Sequence, residues 1–138
     1  YDVFADYHGG HNDILPKPEF ERMDVLSGGY GAGTHIRLVM RLAGQRHEFE
    51  QTVTEPEPGR VLVEANTNGS GETTFTIEPL GVDRCHVTIA TQMRPASGVR
   101  GLVERVLMPR LLRPIYHREL ANLAAYVRST AGQKAAGT

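Results

Sequence analysis

Polar side chains recur on the apolar face of an alternating run, and His47 is the one that can exchange a proton near neutral pH. Alternation over residues 46–53 places His47, Phe49, Gln51 and Val53 on one face of a predicted strand. A polar group on an inner face needs a partner, which is either a ligand or another protein group. A register shift of one residue would turn His47 to solvent. The same inward pattern includes three threonines, Thr67, Thr73 and Thr91.

Tyr116 is the second candidate for chemistry, and it lies in a C-terminal run with helical spacing. Spacings of three and four residues group Tyr116 with Leu120 and Leu123 on one helical face. A tyrosine there can pack its ring and present its hydroxyl to a cavity. His117 lies off this face and is interpreted as a surface residue. Tyr116 and His47 are therefore the candidate catalytic residues.

Two N-terminal histidines, His8 and His11, have two aspartates close by in sequence. Imidazole and carboxylate groups bind metals when they converge on one ion. The intervening Gly9 and Gly10 disfavour the helical turn that would bring the histidines together. We therefore predict no metal site, and interpret the segment as a polar loop at a pocket mouth. The alternative is a role in ligand gating with Tyr7.

Signatures of several enzyme classes are missing from the sequence. It shows no Ser-His-Asp order, HExxH, CxxC or paired-carboxylate motif, so neither a hydrolase nor a redox enzyme is predicted. The glycine-rich residues 28–33 precede a predicted strand, whereas a phosphate-binding loop opens a helix, so they are interpreted as a bend or hairpin loop. The single cysteine, Cys85, lies in an apolar alternating run and is interpreted as a small buried side chain.

A period of two from Glu19 to Arg94 predicts six strands joined by short turns, which is typical of an antiparallel meander. One turn is predicted at residues 55–59, and the N-terminal region contains short helical pieces at most, such as the face formed by Val3, Phe4 and Tyr7. The predicted strands are Glu19–Leu26, Thr34–Leu42, Arg46–Val53, Arg60–Thr67, Glu72–Glu78 and Arg84–Met93.

A long C-terminal helix follows the sheet and supplies the cover that the apolar face of the sheet requires. It begins after a candidate N-cap at Ser97, and its apolar residues keep helical spacing to about residue 130. Pro109 and Pro114 predict a short lead-in helix, a kink or break near Pro109, and a main helix from about Pro114 to Ser129. Residues 131–138 are predicted to form a flexible tail.

Composition indicates one globular domain without a general electrostatic partner. The chain has 138 residues, 40% hydrophobic residues and a formal net charge of -1. It has no basic excess for nucleic acid, and no apolar stretch approaches the ~20 residues of a membrane span. We therefore expect no nucleic-acid partner, no stable membrane insertion, no cofactor and a cytoplasmic location. Composition leaves the oligomeric state open, including a homodimer.

Five segments carry a resemblance that spans nearly the whole chain. They are residues 2–7, residues 31–34 entering a strand, residues 53–60, residues 74–79 followed by 87–89, and the closing amphipathic helix. In this order the chain resembles the START-like superfamily, also called SRPBCC or Bet v 1-like, and within it the polyketide cyclase/dehydrase and lipid-transport branch. The resemblance implies a single START-like domain over residues 1–130. Family members have a strand before the first helices, and none is predicted here. The resemblance therefore implies either a sheet one strand shorter, with an open edge, or a strand lost ahead of Tyr1.

The resemblance implies an α+β helix-grip fold, in which a curved antiparallel sheet wraps round a long C-terminal helix and encloses an apolar cavity. It implies binding of a small apolar, lipid-like or polyketide-like molecule. A cyclase/aromatase-like or dehydratase-like enzyme on the same scaffold is the alternative, and a protein-interaction module is a further one, although the sequence shows no large apolar outer stripe for it. The expected ligand-binding residues are Leu38, Met40, His47, Phe49, Gln51, Phe75, Ile89, Thr91, Tyr116, Leu120 and Leu123.

Overall fold

The sheet forms as the alternating pattern predicts. The computed structural model, which describes residues 1–137, has six strands in the order β1-β2-β3-β4-β5-β6, each antiparallel to the next. The turn predicted at residues 55–59 lies slightly later, at residues 58–60, because β3 runs on to Glu57, and an irregularity between Thr54 and Glu57 bends the strand. The strands are β1 Phe20–Ser27, β2 His35–Leu42, β3 Gln45–Glu57, β4 Val61–Asn66, β5 Gly71–Pro79 and β6 Cys85–Met93.

Two short helices precede the sheet, α1 at Asp2–Ala5 and α2 at Gly10–Ile14. The pair Gly9-Gly10 and the polar residues after it predicted a loop where α2 lies. The side chain of Asp6 accepts hydrogen bonds from the backbone amides of Gly9 and Gly10 at 3.1 and 3.2 Å, which satisfies donors that a helix start leaves free. Gly10 also lies so close to Val3 that an added Cβ would come within 3.0 Å of its side chain. The glycines therefore allow α2 to pack closely on α1.

Of the kink or break predicted near Pro109, the break is wrong, because α3 is continuous from Gly98 to Ala136 with Pro109 and Pro114 inside it. Each proline removes the hydrogen bond to the carbonyl four residues earlier. Those carbonyls belong to Arg105 and Arg110, which are both exposed, so water can replace the lost donor. The helix also continues past the start of the predicted tail at residue 131.

The middle of α3 packs onto the rest of the domain, where Met108, Leu112 and Ile115 contact the core, whereas the apolar side chains of its first turns are exposed. Ile115 is buried, and the Asn122 side chain donates to the Ile14 carbonyl at 2.9 Å. Near the start of α3, several apolar side chains are exposed, namely Val99, Leu102, Val103, Val106 and Leu107. The expectation that the sequence has no large apolar outer stripe is therefore wrong. The helix-grip α+β fold is confirmed, since a curved six-stranded sheet faces one long helix.

Cys85 is exposed at the start of β6, which corrects its interpretation as a buried residue. Alternation identifies a face, but the first residue of this strand lies beyond the cover of α3. We expect the native protein to react with an aromatic disulfide reagent at one thiol per chain, because an exposed thiol is accessible without unfolding. Absorbance of the released thiolate measures this. A thiol that reacts only in denaturant would contradict the exposed position.

Among residues 1–137, none of the helices combines the length and the hydropathy needed to cross a bilayer.

Candidate functional site

Two connected spaces lie between the sheet and α3. The inner cavity, of about 70 Å³, is lined by side chains of α2, all six strands and α3. The outer groove, of about 1310 Å³, lies between the ends of β3 and β6 and the first half of α3. Phe49, Leu112 and Tyr116 line both spaces, so they mark the junction.

Most of the residues predicted to contact a ligand line one of these spaces. The outer groove has His47, Ile89 and Leu120 in its wall. Leu123 lines neither space and packs against the core cluster around Phe4. The residues in the wall of the inner cavity are Leu38, Met40, Phe49, Gln51, Phe75, Thr91 and Tyr116, of which Phe49, Thr91 and Tyr116 also line the groove.

The two candidate catalytic residues occupy different positions. His47 pairs with Met40 across the β2–β3 ladder and so shares its inner face, where its ring stacks on Phe49 with centroids 6.2 Å apart. The Tyr116 hydroxyl is hydrogen-bonded to the Thr91 hydroxyl, which in turn is hydrogen-bonded to the Thr73 hydroxyl at 2.8 Å. Burial raises the pKa of Tyr116, so its hydroxyl stays protonated at neutral pH and can donate.

A buried polar cluster that the sequence analysis missed forms the floor of the inner cavity. His11, which is only 2% exposed, donates from Nδ1 to the Phe4 carbonyl at 2.7 Å. Because a carbonyl only accepts, Nδ1 carries a proton in this arrangement, and the other ring nitrogen, Nε2, lies on the side of Glu119. The ring lies among those of Phe4, Tyr7 and Phe75, with centroids 4.8 to 5.5 Å away. The packing fixes the direction in which His11 points.

Glu64 of β4 lies on one side of His11. Its Oε1 accepts a hydrogen bond from the Tyr7 hydroxyl at 2.8 Å and lies 3.7 Å from His11 Nδ1. Burial raises the pKa of the Glu64 carboxyl, while His11 and the Tyr7 hydroxyl oppose the rise. Burial, followed by the charge of Glu64, also raises the pKa of Tyr7, which therefore remains a donor. Glu64 is thus held in place by a partner within the protein.

Glu119 of α3 lies on the other side of His11, with its Oε1 3.9 Å from His11 Nε2. Glu119 is 2% exposed and lines the inner cavity. Within residues 1–137 its Oε1 has no hydrogen-bond partner. Burial, followed by the charge of Glu64, raises the pKa of the Glu119 carboxyl to about 8. At neutral pH the side chain is therefore mostly a neutral acid, able to donate or accept at the cavity wall.

Gln51 presents a second unsatisfied oxygen to the same cavity. Its Nε2 donates to Asn66 Oδ1 at 3.0 Å, and Asn66 Nδ2 donates to the Ser70 hydroxyl at 2.9 Å. This chain fixes the Gln51 amide and leaves its Oε1 buried without a partner in the described part of the protein, residues 1–137. Unpaired buried oxygens are costly unless water or a ligand satisfies them.

Ordinary sequence signals mark the two carboxylates that were missed. Glu64 is two residues from Leu62 on β4, so alternation puts both on the buried face. Glu119 is four residues after Ile115 and four before Leu123, so it lies within the apolar helical face itself. The sequence has no paired-carboxylate motif, but the fold brings Glu64 and Glu119 from distant segments to the two sides of His11.

The N-terminal histidines separate in the structure. His8 is exposed, whereas His11 is buried in the cavity floor, so the interpretation of both as a polar loop is wrong for His11. Over residues 1–137, no group of three or more His, Cys, Asp or Glu side chains is arranged to hold a metal ion. The site therefore offers an apolar wall with a few fixed acceptors and acids.

The comparisons with known proteins agree with this geometry. A comparison with curated proteins found no match. Among solved structures, the chain is similar to the NMR solution structure of the KanY protein (ms6282), with a TM-score of 0.78 and 28% identity. The alignment covers 92% of this chain and 86% of that one. Residues 1–128 match the model of the family described as polyketide cyclase / dehydrase and lipid transport. The resemblance drawn from the sequence is thus confirmed, and the chain belongs to the polyketide cyclase/dehydrase and lipid transport family.

Proposed function

We propose that the protein binds a small, mainly apolar molecule, with one end in the inner cavity and the rest in the outer groove. The observation that carries this proposal is an apolar space with two fixed, unsatisfied oxygens, those of Gln51 and Glu119, in its wall. Binding sites for small molecules typically combine an apolar lining with a few polar groups that orient the ligand. Apolar surface removed from water contributes roughly 25 cal/mol per Å², before the cost of association.

The junction at Leu112 offers a direct test, because this residue lines both spaces. Leu112→Trp puts a larger side chain where the cavity meets the groove. We expect this variant to weaken binding of the neutral dye Nile red about tenfold or more, which corresponds to at least ~1.4 kcal/mol. Fluorescence titration measures the affinity, and native mass spectrometry of protein purified from its host would detect a bound compound.

Val103→Trp is the matched control for this experiment. Val103 lies on the same helix, is 53% exposed and lines neither space. The control should bind Nile red as the wild type does, since its added ring remains outside the site. Equal affinities in both variants and the wild type would count against a ligand between the sheet and α3, and circular dichroism checks that both variants fold.

A second candidate function is a dehydratase-like enzyme, which the protonated state of Glu119 favours. A neutral carboxylic acid at the cavity wall can protonate a leaving hydroxyl as the C–O bond breaks, and a base removes the neighbouring C–H proton to form the alkene and water. Nε2 of His11 lies 3.9 Å from Glu119 Oε1, and in its unprotonated form it is the candidate base. His47 lines only the outer groove, so it contributes to this chemistry only for a substrate that reacts there.

An apolar β-hydroxy ketone is the probe for this candidate. Dehydration to the conjugated enone would appear as new ultraviolet absorbance. The reaction should be lost in Glu119→Gln, which cannot donate a carboxylic proton, and retained in Glu78→Gln, whose carboxylate is exposed on β5. If the β-hydroxy ketone binds but is not converted, the binding function stands and the enzymatic function is wrong.

A further inference from the structure

We propose that the inner cavity receives the protonated amine end of an elongated apolar molecule, with Glu119 as its carboxylate partner. This inference rests on the proposed binding function and specifies the chemical class of the ligand. It starts from Glu119 Oε1, which is buried, faces the cavity and lacks a hydrogen-bond partner within residues 1–137. An alkylammonium group supplies the hydrogen-bond donors and the positive charge that this oxygen lacks.

The charges around the cavity favour a cation over an anion. Glu64 and Glu119 reach the floor from β4 and α3, and Glu72 of β5 lies at the wall. The basic side chain at the floor is that of His11, whose Nδ1 already donates a hydrogen bond to the Phe4 carbonyl. In the part of the chain that the structure describes, residues 1–137, no Lys or Arg lines the inner cavity. A carboxylate or phosphate entering this space would find no fixed cation, and its charge would oppose the ionisation of Glu64 and Glu119 rather than balance it.

The arrangement of the two spaces also gives the ligand a direction. Arginines line only the outer groove, where Arg94, Arg100, Arg105 and Arg113 lie, and Arg100 is paired with Glu104 at 3.1 Å. The inner cavity of about 70 Å³ has room for a small head and the first carbons of a chain. The amine therefore enters first, and the apolar body occupies the groove along α3.

The groups that face Glu119 determine how binding depends on pH. They are His11 from α2, Glu64 from β4 and Tyr116 from α3 itself, with Tyr7 behind Glu64. Because the pKa of Glu119 is about 8, the acid is mostly protonated at pH 7 in the empty protein. An ammonium ion that pairs with it must displace that proton. Binding of an amine should therefore release about one proton at pH 7 and strengthen as the pH rises towards 9.

Three probes of equal chain length test the inference: dodecylamine, dodecanol and dodecanoate, each below its micelle-forming concentration. Displacement of Nile red gives the affinities, and calorimetry at pH 7 in two buffers of different ionisation enthalpy gives the protons released. We expect the amine to bind about tenfold or more tightly than the alcohol at pH 8.5, and the acid to bind most weakly. In Glu119→Gln the ratio of amine to alcohol affinity should fall to about one, without proton release. Glu78→Gln should keep the wild-type ratio.

The outcomes separate this inference from the proposed function. If the alcohol binds but the amine has no advantage, or if the advantage survives in Glu119→Gln, the amine inference is wrong and the binding function stands. Dodecanoate binding more tightly than dodecylamine would also overturn it, because the arginines of the outer groove would then hold the head. If none of the three probes displaces Nile red, both proposals fail.

Discussion

Replacing Glu119 with Gln is expected to stabilise the protein strongly at high pH and very little at low pH. The folded-state pKa of about 8 lies above the ordinary value of 4.5, so the folded protein binds this proton more tightly than the unfolded chain does. The resulting stabilisation is fully present below pH 4.5 and is lost as the pH rises to about 8. The glutamine side chain of the variant has no charge to bury. At pH 9 the substitution should raise the free energy of unfolding by about 3–5 kcal/mol, and at pH 5 change it by less than about 1 kcal/mol.

Urea unfolding followed by circular dichroism at pH 5 and pH 9, at constant ionic strength, measures this effect. Glu78→Gln is the control, since its carboxyl is exposed and surface changes usually alter stability by less than about 0.5 kcal/mol. His11 and Glu64 are present in both proteins, so the comparison isolates the contribution of Glu119 and its coupling to them. If the substitution raised the free energy of unfolding equally at both pH values, the ionisation of Glu119 would not be the source of the effect.

Replacing Phe75 with Ala is expected to cost about 3–5 kcal/mol of stability, the range observed for large aromatic residues removed from cores. Phe75 is 3% exposed and contacts both the N-terminal helices and the sheet. Its ring centroid lies 4.7 Å from that of Phe4 and 5.4 Å from that of His11. The truncation therefore removes buried area and two ring contacts at once, and it leaves a void beside the cavity floor. The shift in the urea midpoint measures the loss.

Phe49→Ala is the matched control for Phe75→Ala. Phe49 is half-buried on β3 at the junction of cavity and groove, so its truncation removes less packing and more of the ligand wall. It should cost roughly 1–2 kcal/mol and weaken binding of Nile red. If the two variants lost the same stability, the core would not be centred where α1 and α2 meet the sheet.

The architecture could be predicted from the sequence because its signals are local. Alternation and turn residues identify six strands, and the register of β2 against β3 places His47, Phe49 and Gln51 opposite Met40, Leu38 and Ile36. The alternative of a break near Pro109 is wrong. The cost of a proline inside a helix is known in advance, but whether water can satisfy the carbonyl that it leaves free depends on which side of the helix faces the sheet. The apolar spacing of α3 likewise indicates one face without indicating how far the sheet extends beneath it.

The site was predictable only in its apolar part. Rules that assign apolar residues to the interior find Leu38, Met40 and Phe75, yet they treat glutamates as surface residues. Glu64 and Glu119 violate that rule within patterns that are otherwise regular, and buried exceptions of this kind concentrate at functional sites. α2 was missed because Gly9 and Gly10 disfavour a helix locally, whereas the carboxylate of Asp6 and the contact with Val3 are visible only in three dimensions.

The order of the strands has a consequence for how the protein folds. Every strand pairs with its neighbour in sequence, and such local contacts form quickly because the loops that they close are short. The contact between Asn122 and Ile14 joins residues 108 positions apart, and α3 encloses the cavity through contacts of this kind. We therefore expect the binding site to be completed late, after the sheet has formed. A ligand held there should slow unfolding while leaving the rate of sheet formation unchanged, so that occupancy extends the lifetime of the native state.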